Sequence, residues 1–426
     1  MEVITHERLK ETVYRETMDN GLQVYVLPKQ GFKKTYATFS TKYGSIDNHF
    51  RVEGEAETKV PDGIAHFLEH KMFEEPEGDI FAKFASLGAS ANAFTSFEQT
   101  VYLFSATENV MENIETLVNF VQNPYFTDQN VEKEKGIIGQ EIGMYQDNPD
   151  WRVYFGLIEA MYAVHPVHID IAGTVESIGT ITKETLYKCY NAFYHPSNML
   201  LFVVGGVDPE EVFSLIRSNQ AKKSYQPQGE IKRLFDVEPA EVHEKRKEIK
   251  LPVSLPKCLF GFKETNLGIT DEALLRRDLA LKLALDLLIG SSTKLYQKLY
   301  DMDLISDGFG HEFNSNPNYA FSAMGGDTKD PDRLLEVFTE ETKKILASGF
   351  QSDDFERARK KKIGGYLRML NSPENIAHEF TRYRFRGGDL FSVLPIYESL
   401  TLEEVNNRLR EHIDWDQLAV SLVVSP

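Results

Sequence analysis

The sequence is nearly free of cysteine: Cys189 and Cys258 are the only two in 426 residues. They lie far apart and each is followed by an aromatic or apolar residue, which argues against a disulfide framework and against a cysteine-built metal site. Both read as reduced core residues. Long hydrophobic runs are also missing, since no stretch approaches the ~20 apolar residues that a membrane helix needs. The first residues, "MEVITHERLKETVYRETMDNG", are charged and contain no apolar signal core, so a soluble, cytoplasmic protein without a membrane span is expected. Positive charge is in short supply: 47 Lys and Arg face 65 Asp and Glu, a net charge of −18. That balance disfavours nucleic acid as a partner and leans toward cationic ones. What is present is apolar bulk, 42% hydrophobic and 12% aromatic residues, enough for two or more domains.

Strand-period alternation begins at "GLQVYVLP" and continues through "KTYATFSTKYGS". Residues 63–74 have helical periodicity, with Asp62 placed to cap. "DIFAKFASLGA" reads as a helix ending at Gly88, "SANAFTSFEQTVYLFSA" as paired strands, and 109–164 as mainly helical. Apolar periodicity fades over about 218–250, which sets the expected domains at 1–225 and 251–426 with a connector at 226–250. "ITKETLYKCYNAFYHPSNMLLFVV" from 181 and "LTLEEVNNRLREHIDWDQLAVSLVV" from 400 share the order helix, turn, buried strand, and "VYLFSA" from 101 echoes "NYAFSA" from 318. Two matches in the same order point to duplicated α+β halves.

The stretch "GIAHFLEHKMF" places two histidines and a glutamate inside an otherwise apolar helix. Positions i and i+4 share a face, so His66 and His70 can present two imidazoles to one metal with Glu69 alongside. Zinc suits such ligands, but a catalytic zinc takes three protein groups. The third is expected from "VEKEKGIIGQEIGMYQ", where Glu134, Ile138, Glu141 and Tyr145 share one helical face and mix carboxylates with apolar residues. Glu141 is the best candidate. A hydrogen-bonded core histidine pair and two surface glutamates are the bland counterparts of this reading. His165 and His168 in "HPVHID" have ligand-like spacing but an intervening proline, and read as loop residues; Gly205-Gly206 lacks the third glycine of a dinucleotide fingerprint and reads as a strand-end turn.

HFLEH is the inverted zincin order H-x-x-E-H. With "GASANAFTSFEQTVYLFS", "EKEKGIIGQEI", "HPVHIDIAGTVESI", "YHPSNMLLFVVGGVDPEEV" and "GSSTKLYQKLY", the chain resembles the pitrilysin, insulin-degrading enzyme and mitochondrial processing peptidase family of zinc metallopeptidases over nearly its whole length. The resemblance implies two homologous α+β domains, each a mainly antiparallel sheet packed with helices, forming a half-clamshell. It implies one zinc ion on His66, His70 and Glu141, Glu69 as general base, and Glu134 as the carboxylate behind the metal site. It also implies that "SANAFTS" is an exposed strand to which a peptide substrate adds, with Asn92 contacting the substrate and Ala91 and Ala93 admitting its close approach. For Asn92 alone, a turn role is the competing reading.

The implied function is a zinc metalloendopeptidase acting on unfolded, preferentially basic peptides or presequence-like segments. The competing class is a non-catalytic peptide-binding or scaffold subunit of the same fold. One departure stands out. After "GSS", single-chain relatives carry an arginine and, seven residues on, a tyrosine, whereas this sequence has Tyr300 and Asp307. Neither can replace its counterpart. A related subunit supplying the Arg/Tyr pair in a heterodimer is therefore expected, with a homodimer as the other arrangement. Arg382, Arg384 and Arg386 in "TRYRFRGG" read as structural or interface residues.

Overall fold

The computed structural model describes residues 1–76 and 78–426. The chain is α+β and separates into two compact units: Met1–Ile142, Ile169–Phe235 and Met369–Phe385 form the first, and Gly143–His168, Asp236–Arg368 and Arg386–Pro426 the second. The first is built on a seven-stranded sheet in the order Glu2–His6, Glu11–Thr17, Gln23–Pro28, Met199–Gly205, Thr35–Thr41, Thr100–Ala106, Ala89–Thr95. Met199–Gly205 is buried at every position, which is why "MLLFVVG" reads as an unbroken apolar run rather than an alternating one. It pairs parallel with Gln23–Pro28 and antiparallel with Thr35–Thr41.

The second unit repeats the plan in five strands, Arg246–Lys250, Leu418–Val424, Lys257–Phe262, Tyr319–Asp327, Gly310–Asn316, again with one parallel pair, here at the start of the order, and without counterparts of the first sheet's two leading strands. Thr100–Ala106 and Tyr319–Asp327 occupy equivalent places, as do Met199–Gly205 and Leu418–Val424. The sequence echoes are thus structural equivalents. Cys189 and Cys258 are both free and buried.

Each unit borrows a helix from the other half of the sequence, which a single boundary at 226–250 does not describe. Pro149–Met161 packs on the second sheet so closely that a Cβ on Gly156 would stand 2.5 Å from Ser421 Oγ. Pro373–Phe385 packs on the first sheet, where the Phe380 ring stacks 4.3 Å from Phe202 and meets Tyr25 edge-on at 5.0 Å. Such ring pairs contribute about 0.5–1.5 kcal/mol beyond area burial. Arg384 lies over the Tyr25 ring and Arg382 over Tyr383, so both arginines pack against aromatic faces within the first unit.

The strand register fixes the two faces of the first sheet. Tyr25, Phe202, Thr38, Leu103 and Asn92 are successive cross-strand partners and share the face of Pro373–Phe385. Tyr102 and Ala93 share the other face, where Tyr102 meets Phe73 and Phe120.

Candidate metal centre

The motif helix runs Ile64–Met72, and its start corrects the expected cap. Asp62 does not cap; its Oδ1 accepts from Asn48 Nδ2 at 2.7 Å, and the N-cap is Gly63 in the left-handed region at φ 83°. A Cβ on Gly63 would stand 2.3 Å from Ala172 O, so only glycine permits both this backbone and this contact. The segment after "HPVHID" therefore supports the start of the motif helix, and Ser177 Oγ adds a hydrogen bond to Asp62 O at 2.9 Å.

Helix periodicity turns both histidines toward the helix Asp128–Gln146, which carries Glu134 and Glu141. His66 Nε2 is 3.8 Å from Glu141 Oε1, and His70 Nε2 is 3.5 Å from Glu141 Oε2. Both distances are too long for good hydrogen bonds. They approach the ~3.3 Å separation of two donors held 2.0–2.1 Å from one tetrahedral ion. Among the described residues, His66, His70 and Glu141 form the group able to hold a metal, with one donor atom from each within 4.8 Å of the others. The donor set, two imidazoles and a carboxylate, fits zinc.

The protonation states suit ligation. Burial, with the neighbouring His70, pushes His66 down to about 4, leaving a neutral imidazole at pH 7. Burial opposes charge on Glu134, but the His70 hydrogen bond and the Lys71 ammonium overcome it and hold that carboxyl below its ordinary range. An ionised Glu134 can only accept, so the 3.1 Å contact with His70 Nδ1 makes that nitrogen the donor. Burial opposes charge on His70, but Glu134, Glu69 and Glu141 together overcome it and raise the imidazole, so ligation through Nε2 has to displace a proton there. Glu69 lies on the same helix and is buried; burial raises its carboxyl against the 2.7 Å hydrogen bond from Thr95 Oγ1.

Ala91, Asn92 and Ala93 lie in the middle of the edge strand Ala89–Thr95, which removes the turn reading of Asn92. Among the described residues the strand pairs only with Thr100–Ala106, which leaves its other edge open. Ser96 N bonds inward to Gln99 O, so by alternation the backbone groups of residues 91, 93 and 95 face the open edge. There the Ala93 N–H is taken up by Asn92 Oδ1 at 2.9 Å. Ala91 and Ala93 lie on the motif-helix face. Asn92 faces away from it, toward a cavity of about 490 Å³ also lined by Tyr36, Phe94, Glu374 and His378.

Sequence reasoning missed Thr95, Lys71 and the His378 cavity. Thr95 could have been found from alternation with Ala93, and Lys71 from a charge inside an apolar run; His378 had no local signal. One further constellation is a decoy. Ser322 Oγ lies 2.8 Å from His412 Nε2, and His412 Nδ1 lies 3.3 Å from Glu264 Oε2. All three are buried, and Ser322 Oγ also accepts the Phe262 N–H, so the trio ties strands together and offers no surface to a substrate.

Comparison with known proteins gives the chain relatives over its whole length. The family description "Insulinase (Peptidase family M16)" matches residues 54–175, and "Peptidase M16 inactive domain" matches 180–362. The chain is 55% identical over 424 residues to "Uncharacterized zinc protease YmfH" of Bacillus subtilis (strain 168), covering 99% of this chain and 98% of that one. It is 28% identical over 359 residues to "Uncharacterized zinc protease" of Rickettsia bellii (strain RML369-C), covering 82% of each. The crystal structure of a putative M16-like peptidase from Alicyclobacillus acidocaldarius superimposes with a TM-score of 0.95 at 42% identity, over 98% of this chain and 99% of that one. With its motif helix, its duplicated α+β plan and these full-length relatives, the chain belongs to the M16 family of peptidases.

Proposed function

We propose that the protein is a zinc-dependent endopeptidase hydrolysing unfolded peptides or presequence-like segments, with one zinc held by His66, His70 and Glu141. The observation that carries this reading is the trio's geometry: three donors converge at spacings that suit a shared ion better than hydrogen bonds. The zinc-protease names of the relatives support it.

A bound zinc ion supplies Lewis acidity to the scissile carbonyl and the attacking water. The chain's own residues do the rest. Glu69 Oε2 is held by Thr95, so Oε1 takes the proton of the water and passes it to the leaving amine. Glu134 fixes the His70 ring through Nδ1. The open edge at Ala91 and Ala93 would pair with a peptide laid alongside, the Ala93 N–H exchanging Asn92 Oδ1 for a substrate carbonyl, and so would favour extended over folded substrates. The net charge of −18 favours basic peptides. Tyr300 and Asp307 are both exposed, and neither replaces the family's Arg/Tyr pair. The reading therefore includes a related subunit that completes the site in a heterodimer, working in the cytoplasm.

Metal analysis of the purified protein should find about one zinc per chain. Glu69→Gln should keep that zinc while losing hydrolysis by roughly 10²–10⁴-fold, and His70→Ala should lose both. A metal-free, chelator-insensitive wild type would leave only a non-catalytic peptide-binding or scaffold role.

A further inference from the structure

Lys71 follows the second histidine of the motif, and its side chain is 0% exposed. Its Nζ lies 3.3 Å from Glu134 Oε2 and also bonds Glu74 Oε2. Glu134 is the carboxylate that receives His70 Nδ1, so the ammonium stands one residue behind a metal ligand. Burying an ammonium costs several kcal/mol unless carboxylates compensate it. A methionine would fill the same volume, and replacing buried ion pairs by apolar side chains is often neutral or stabilising. Packing alone gives no reason for the charge.

Electrostatics does. Glu69, Glu134 and Glu141 place three carboxylates around the trio, one more negative charge than a dication neutralises. A ligand set of that charge holds its ion tightly and blunts its Lewis acidity. Lys71 opposes this in two ways that act in the same direction. Its positive charge repels the ion, and by sharing Glu134 it weakens the pull of that carboxylate on the His70 Nδ1 proton, which makes Nε2 a poorer donor. The direct bond between Glu134 and His70 holds the ring in place with or without Lys71.

We propose that Lys71 is a positioning residue that counterweights the metal site, loosening zinc and keeping it electrophilic. This rests on the zinc-peptidase reading. A structural role and an electrostatic one predict opposite signs. If Lys71 only braced Glu134, its loss would free His70 and zinc would leave faster.

The test is the rate at which a chromogenic chelator removes zinc from the wild type, Lys71→Met, Lys71→Arg and Glu74→Gln, with kcat measured in parallel on an unfolded peptide. Lys71→Met should release zinc more slowly, by roughly tenfold, the scale on which such outer partners tune metal affinity. Its kcat should fall, and Lys71→Arg should restore both quantities toward the wild type. Glu74 is on the solvent side of Lys71, so Glu74→Gln gives a folded reading even where Lys71→Met does not fold; it strips Lys71 of a neutralising carboxylate and should release zinc faster. Stoichiometric zinc in the wild type with faster or unchanged release from Lys71→Met, or slower or unchanged release from Glu74→Gln, overturns the role of Lys71 alone. A wild type that binds no zinc overturns the metal reading itself.

Discussion

Thr95 Oγ1 donates to Glu69 Oε2 at 2.7 Å and so ties the glutamate of the motif helix to the edge strand Ala89–Thr95. On the proposed reading, the residue that would move the proton and the backbone that would hold the peptide are one hydrogen bond apart. Aligning Glu69 with a scissile bond would then require no separate element.

Thr95→Val should keep zinc and KM while kcat falls by about tenfold to a hundredfold, because small misplacements of a catalytic group cost on that order. Thr95→Ser retains the donor and should stay near the wild type. Steady-state kinetics on one unfolded peptide, with zinc content measured in the same samples, decides this. A large rise in KM at constant kcat would show that Thr95 acts on the strand and not on Glu69.

The open edge makes a sharper prediction. Ala93 N–H faces outward and is occupied by Asn92 Oδ1. Proline is tolerated on edge strands where the missing N–H faces solvent, so Ala93→Pro should fold and bind zinc. It should also leave a substrate carbonyl unpaired and lower kcat/KM roughly tenfold to a hundredfold. Unchanged cleavage by this variant would mean that peptides do not add to this edge.

Acid stability should report on the second unit. Burial opposes charge on Glu264, but His412 and Arg408 overcome it and hold the carboxyl at about 2. A carboxyl depressed in the folded state contributes stability that is fully present above the unfolded value of ~4.3 and is lost as pH falls through the folded value. The contribution is about 3 kcal/mol at neutral pH by linkage. Unfolding followed by circular dichroism should steepen between pH 4.3 and 2. Glu264→Gln should lower stability at pH 7 and flatten that slope. An identical acid profile would remove Glu264 from the account.

The convergence of His66, His70 and Glu141 was legible because their pattern is one that solvent does not impose. His66 and His70 repeat at i, i+4 within an apolar stripe, and Glu141 shares a face with Ile138, which a solvated helix would not need. The duplicated sheets were legible through their terminal strands, whose buried runs match in order. Asp62 was misjudged because a capping residue type says nothing about competing partners, and Asn48 claims it. The exchange of Pro149–Met161 and Pro373–Phe385 left no trace in the sequence. Periodicity shows that a helix has an apolar stripe and not which sheet the stripe will cover.

Tyr300 lies in the last turn of the helix Lys294–Asp301 and is exposed, its ring 6.5 Å from Tyr296, and Asp307 is also exposed. A phenol has no fixed positive charge with which to hold a substrate carbonyl, and a carboxylate would repel an oxyanion, so neither side chain can do the work of an Arg/Tyr pair. Loss of one oxyanion donor costs on the order of 10²–10³ in rate. The isolated chain should therefore bind zinc and peptide yet turn over slowly. Restoring the pair in one chain with Tyr300→Arg and Asp307→Tyr should not match the gain from a co-purified related subunit that carries both residues, because substrate grip also depends on the surface presenting them. Activity of the chain alone, with the double variant and with the co-expressed relative, measured by cleavage of one unfolded peptide, separates the cases. A homodimer that is fully active alone and gains nothing from the relative would refute the two-subunit reading.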